Sequence, residues 1–162
     1  MVTAERIERT ALKNLIHNEV YTRKVLPFLK PEYFDDRNER IVFSQILKFV
    51  EQYNKQPTKE TLQIDIGKRK DLNEKEHQSI VDLISTLNKE DIDIDWLTNT
   101  TEKFCKDRAI HNAVMEGIHI LDGKNKNQTP EAIPEIMKDA LAVSFDNHVG
   151  HDYLSDIEKR FD

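Results

Sequence analysis

Residues 94–122 read IDWLTNTTEKFCKDRAIHNAVMEGIHILD, and this stretch sets the architecture. It holds no proline and one interior glycine, Gly117. Nothing in it interrupts an α-helix, as a proline would by removing a hydrogen bond and clashing with the preceding turn. At about 1.5 Å of rise per residue, some 29 residues extend roughly 43 Å. A compact domain built from the preceding residues does not need a helix that long, so its second half is expected to project. Gly123 to Gln128 reads as a polar turn. Thr129-Pro130-Glu131 is a helix start with proline at the first helical position, where its missing N–H has no cost. The returning helix, to about Phe145, sets Ile133, Ile136, Met137, Ala140 and Leu141 on one face. A long helix, a polar turn and an apolar-striped return make an αα-hairpin.

Upstream, the pattern is a string of shorter helices. Ala4, Ile7, Ala11, Leu12, Leu15 and Ile16 recur at helical spacing within 3–17. Asn18 can cap a second helix carrying Val20, Tyr21, Val25 and Phe28, and Pro31 opens a turn that delivers Tyr33 and Phe34 to the core. Asp36 and Glu39 have capping-box spacing before a stripe of Val42, Phe43, Ile46, Leu47, Phe49, Val50 and Tyr53. Thr58 caps a helix with Leu62 and Ile66, ending near Gly67 and the cations Lys68-Arg69-Lys70, which suit a helix C-terminus. Asn73 and Glu76 repeat the capping-box spacing ahead of Ile80, Val81, Leu83, Ile84 and Leu87, and 88–93 is an acidic connector. Beyond 146–150, Asp152 can cap a stub carrying Tyr153, Leu154, Ile157 and Phe161 on one face. At about eleven residues it falls short of the ~12–15 at which an isolated helix becomes even marginal, so it needs a surface to dock on.

The organisation expected is all-α: a compact helical domain over 1–93, a projecting hairpin over 94–145, and a linker with the start of a further helix over 146–162. Composition agrees. Glycine and proline total only nine of 162 residues, about half the usual share, which leaves few turns for an all-β fold. The longest unbroken apolar run is Ala140 to Val143, far below the ~20 residues of a membrane span. The single cysteine, Cys105, can form neither an internal disulfide nor a cysteine-based zinc site, and a cytoplasmic protein is the simplest expectation. The net charge of −6 argues against a broad grip on nucleic acid.

Little in the sequence carries catalysis. A P-loop needs glycines five residues ahead of a Gly-Lys pair and a hydroxyl after it, so that backbone N–H groups surround phosphate. Gly67-Lys68 and Gly123-Lys124 meet neither condition. Glu74/His77 and Glu116/His119 have the Glu-x-x-His spacing of di-metal bundles. They are read as chance: Glu74 sits in the first turn of its helix, and Glu116 and His119 fall off the Val114, Ile118, Leu121 stripe. His148, His151 and Asp152 are read as solvated linker residues and Cys105 as a half-buried thiol. Lys68-Arg69-Lys70 are read as a solvated cap, and Trp96 as an anchor of the long helix. No catalytic, cofactor-binding or metal residue is assigned.

Two stretches carry a resemblance. One runs Leu26-Pro27-Phe28-Leu29-Lys30-Pro31-Glu32-Tyr33-Phe34, then Arg40-Ile41-Val42-Phe43, then Gln56-Pro57-Thr58-Lys59-Glu60-Thr61-Leu62. It resembles the N-terminal domain of DnaB-type replicative DNA helicases, with its "P-E-x-F" turn, "I-F" helix and Pro-then-"T-L" helix start. Here Ile-Val-Phe stands for Ile-Phe, and Lys-Glu for the small acidic step. The other stretch, from Ala132 to Asp146 and from Val149 to Tyr153, resembles the same region in the helicases of large tailed phages.

The resemblance implies a collar domain of a hexameric ring that unwinds DNA with ATP. It implies that hairpins pair into a trimer of dimers, that the collar contacts primase and a helicase loader, and that single-stranded DNA passes through the ring with weak direct contact. The hairpin interface would be Phe104, Ile110, Val114, Ile118 and Leu121 with Ile133, Ile136, Met137 and Leu141. Tyr153, Leu154, Ile157 and Phe161 would dock on a neighbouring subunit. ATP and Mg would belong to the motor domain, so this chain alone should be non-catalytic. Two other readings stand beside it: a helix-turn-helix nucleic-acid-binding regulator built on 36–70, and a metal-dependent bundle using the Glu-x-x-His pairs.

Overall fold

A computed structural model describes residues 6–145. The expected linker helix residues Tyr153, Leu154, Ile157 and Phe161, and the trio His148, His151 and Asp152, lie outside them. Every regular element among the described residues is helical, so the fold is all-α. In order, α1 is Ile7–His17, α2 Glu19–Val25, α3 Arg37–Tyr53, α4 Lys59–Gly67, α5 Glu74–Ser85, α6 Ile94–Leu121 and α7 Ile133–Leu141. Short 3-10 turns occupy Leu26–Phe28, Pro31–Tyr33 and Pro130–Ala132. The chain divides into two compact units, Met1–Thr101 and Glu102–Asp162.

Side-chain caps start most helices of the first unit. The Asn18 side chain accepts from the Tyr21 N–H at 2.9 Å, Asp36 from Glu39 at 3.0 Å, and Asp93 from Trp96 at 2.9 Å. Thr58/Thr61 and Asn73/Glu76 close reciprocal capping boxes. Such caps satisfy backbone donors that the first turn leaves orphaned and contribute about 1 kcal/mol each. The Asp36 box is not reciprocal. The Glu39 side chain is fully buried and pairs with Arg6 and Arg9 instead of reaching back to the cap.

α3 is the hub of this unit. It packs against α1, α4 and α5 and against the 31–33 turn. Phe43 stacks on Phe34 with centroids 4.9 Å apart, and Leu12, Leu15, Ile46, Leu62, Ile66, Ile80, Ile84, Leu87 and Leu97 are fully buried. Each such side chain contributes roughly 1.5–3 kcal/mol by leaving water. Polar cross-links finish the frame: Gln56 donates to the Leu15 carbonyl at 2.9 Å, and a ring nitrogen of His17 meets the Leu87 carbonyl oxygen at 2.8 Å.

Two expectations are corrected here. Trp96 does not anchor the long helix, since it is 55% exposed. With Asp93 as the cap, the inward direction falls one residue later, on Leu97, and returns four residues on at Thr101; both are fully buried. The return after the polar turn is also shorter than Thr129 to Phe145 suggests. Pro130 opens a 3-10 turn, and the α-helix proper runs Ile133–Leu141. Pro134 has no N–H to give to the Pro130 carbonyl, so a helix begun at Pro130 would lose its first bond. Beginning at Ile133 leaves Pro134 at the second helical position, where no such bond is needed.

Candidate functional site

The second unit contains most of α6 and all of α7, and its sequence has two faces. Inward, α6 presents small residues at four-residue intervals: Ala109, Ala113 and Gly117 are all buried. Ile133 at the head of α7 lies over Gly117, with its Cγ2 3.7 Å from the position a Cβ would take there. At the other end, Glu102 accepts from the Ser144 hydroxyl at 3.2 Å and from the Phe145 N–H at 2.8 Å. The pairings run in opposite directions along the chain, so the arms are antiparallel. Ala140 of α7 is buried.

Cys105 lies on the same inward side and is fully buried rather than half-buried. Burial, with the Glu102 charge adding to it, pushes its thiol up to about 12. A thiol so held stays protonated at neutral pH and is a poor nucleophile.

Outward, α6 carries an apolar ridge. Val114 and Ile118 are each 43% exposed, Leu121 67%, and Leu141 of α7 66%. Ile110 continues the ridge and is half-buried, as are Ile133, Ile136 and Met137. Phe104 is nearly covered, and the Arg108 guanidinium sits 5.5 Å above its ring centroid. Met115, which sequence reasoning did not single out, is also exposed beside Val114. Its neighbour in the chain carries the stripe, and a helix turns only about 100° per residue, so the ridge is wider than one row. Val114, Met115, Ile118 and Leu121 follow one another along the last two turns of α6, and exposed apolar surface grouped in this way marks an interaction face more often than an accident of composition.

The residues weighed for metal chemistry are scattered. A ring nitrogen of His77 contacts the Arg69 carbonyl oxygen at 2.7 Å, while Glu74 is exposed at the start of α5. Glu116 and His119 border a shallow depression beside Lys124–Asn127 at the hairpin turn. Among the described residues no group of three His, Cys, Asp or Glu could hold an ion, and no helix is long and apolar enough to cross a membrane.

No protein-family model matches the chain. Over 158 residues it is 34% identical to a DnaB-like replicative helicase of Enterobacteria phage T4, an alignment that covers 93% of this chain and 33% of that protein. The chain spans about a third of the length of that relative, a share that suits one domain of a larger protein. The resemblance of the two motif stretches thus extends along almost the whole sequence, and the chain is similar, as an N-terminal domain would be, to a DnaB-type replicative helicase of a phage.

Proposed function

We propose that this chain is the collar domain of a replicative DNA helicase, and that its hairpin is the part that builds the ring. The observation that carries the reading is the ridge of Val114, Ile118 and Leu121 left in water on one arm of the hairpin, with Leu141 exposed on the other. A second copy of the same hairpin can cover it. Such a contact is isologous, with the same patch on both partners related by a two-fold axis. Three such dimers around one axis give a hexamer.

The remaining parts of the reading follow the likeness to the phage helicase. The collar would hold primase and a loader on its outer surfaces while the unwound strand passes through the ring. Residues 152–162 would begin the helix that docks on a neighbour through Tyr153, Leu154, Ile157 and Phe161. No P-loop occurs in these 162 residues, so ATP and magnesium would be bound by a different domain of the helicase. The work would be done in the cytoplasm of an infected cell.

Light scattering at micromolar concentration tests the pairing. A dimer or larger species is expected, and Val114→Asp, which places a charge in the middle of the ridge, should reduce it to a monomer. A chain that is monomeric throughout, and unchanged by that substitution, removes the basis for the reading.

A further inference from the structure

The first unit has a groove of about 550 Å³ between the outer face of α3 and the C-terminal end of α4. Lys48, Phe49, Gln52 and Tyr53 form the α3 wall, and Asp65 and Lys68 the α4 wall. The rings of Phe49 and Tyr53 lie 4.7 Å apart at the centroids, tilted by 46°. Phe49 is half-buried beneath, and Tyr53 is 53% exposed. An aromatic pair that continues a core outward is an unusual surface feature, because it leaves a flat apolar face in water with a firm base under it.

The charges beside that face are equally uneven. Lys48 and Lys68 are exposed and form no salt bridge among the described residues. Arg69 closes the same wall, its guanidinium held in place by both carboxylate oxygens of Asp71 at 3.0 and 2.6 Å. Lys70 follows, also exposed. The lining therefore holds three cations against one carboxylate, in a chain whose net charge is −6. The start of the basic run is thus more than a helix cap: the fold sets Lys68 and Arg69 in one groove with Phe49 and Tyr53, which lie on the preceding helix.

We propose that this groove binds single-stranded nucleic acid, one base stacking on Tyr53 and the flanking phosphates meeting Lys48 and Lys68. Rings supply affinity without regard to sequence, because every base has a π-face. Cations that track a backbone supply the rest. The Gln52 amide adds a donor and an acceptor at the edge of the stacked base. A duplex hides its base faces and gains nothing from the rings, and an acidic peptide would use the lysines and leave the rings idle. The identity of the strand as DNA displaced by a helicase rests on the reading above; the binding chemistry is the groove's own.

Fluorescence anisotropy of a labelled twelve-residue oligothymidylate, titrated with the full 162-residue chain at low salt, tests the proposal. With Lys48 and Lys68 engaged, log K should fall against log salt with a slope of about −1.4, since each single-strand phosphate contact contributes about 0.7. Tyr53→Ala should weaken binding roughly 5- to 150-fold, the range that stacking one base supports, while Tyr53→Phe keeps the ring and the affinity. Lys48→Glu together with Lys68→Glu should abolish binding. All three side chains are exposed, and circular dichroism melts check that the variants fold.

Variants that bind as the parent does would overturn the assignment, as would a duplex or polyglutamate that competes as well as the oligonucleotide. The hairpin is read out separately. A dimer that ignores the oligonucleotide sinks the groove alone. A chain that stays monomeric by scattering yet binds through Tyr53 sinks the hairpin pairing and keeps the groove.

Discussion

Ile133 of α7 packs over Gly117 of α6, its Cγ2 3.7 Å from where a Cβ on that glycine would stand. That distance is ordinary van der Waals contact, so one methyl fits and a larger side chain does not. Gly117→Ala should stabilise the chain by about 0.5–1 kcal/mol, since glycine inside a helix is less favourable than alanine by that amount. Gly117→Leu should force the arms apart and destabilise by about 1–3 kcal/mol, the usual range for overpacking. Urea denaturation of the three chains measures both signs. Loss of stability with alanine would mean that the arms lie closer than this contact implies.

In the first unit, Tyr21 and Thr101 join hydroxyl to hydroxyl at 2.7 Å, both fully buried. This ties α2 to the third turn of α6. Tyr21→Phe leaves the Thr101 oxygen unpaired away from water, which costs about 1–3 kcal/mol. Replacing both partners, Tyr21→Phe with Thr101→Val, should recover part of the loss. Chemical denaturation of the two single variants and the double variant gives the coupling, and strict additivity would show that the hydroxyls do not depend on each other.

These two contacts mark the limit of what the sequence makes legible. Helical periodicity placed α3, α5 and α6 nearly to the residue, because caps such as Asp36 and Asn73 signal two of the starts locally and no proline interrupts α6. It also marked Val114, Ile118 and Leu121 as a stripe; their exposure became known only from how the rest of the chain folds. Phase errors of one residue were invisible: Trp96 and Leu97 are adjacent, yet only Leu97 faces inward. The same holds for Glu39, whose spacing from Asp36 suggests a cap partner while its side chain turns to Arg6 and Arg9. The pairing of Tyr53 with a groove that also holds Lys68 is a tertiary fact, set by how α4 folds back on α3 and not by any spacing along the chain.

Cys105 offers a clean test of the second unit's interior. Its thiol is fully buried and pushed up to about 12, first by burial and then by Glu102. At pH 8 the native chain should therefore react with a maleimide or an aromatic disulfide far more slowly than the urea-unfolded chain. The native rate should follow the opening of α7 from α6, so Gly117→Leu should raise it and Gly117→Ala should not. Rapid labelling of the native parent would show that this face of α6 is open to solvent.

Glu39 makes stability fall as pH rises. Its carboxylate is fully buried, and while one oxygen meets Arg6 and Arg9, its Oε1 and the Arg9 Nε make no hydrogen bond. Burial raises its pKa above the ordinary 4.5; Arg6 pulls it down, and the nearby Asp36 charge pushes it up again. From pH 4.5 up to that raised value the unfolded chain has lost the proton and the folded chain still holds part of it, so the native state binds more protons and stability declines with pH. Asp71 has the opposite sign in a lower window: Arg69 holds it at about 2 against an ordinary 3.8, so whatever it contributes is present above 3.8 and lost toward 2. The two windows do not overlap. Urea denaturation of the parent and of Glu39→Gln at intervals from pH 4.5 to 7 isolates the buried carboxylate. The parent should lose ground against the variant as pH rises, whatever offset the substitution introduces by depriving Arg6 and Arg9 of their charge partner. A difference that stays flat across the interval would mean that the two arginines cancel the effect of burial.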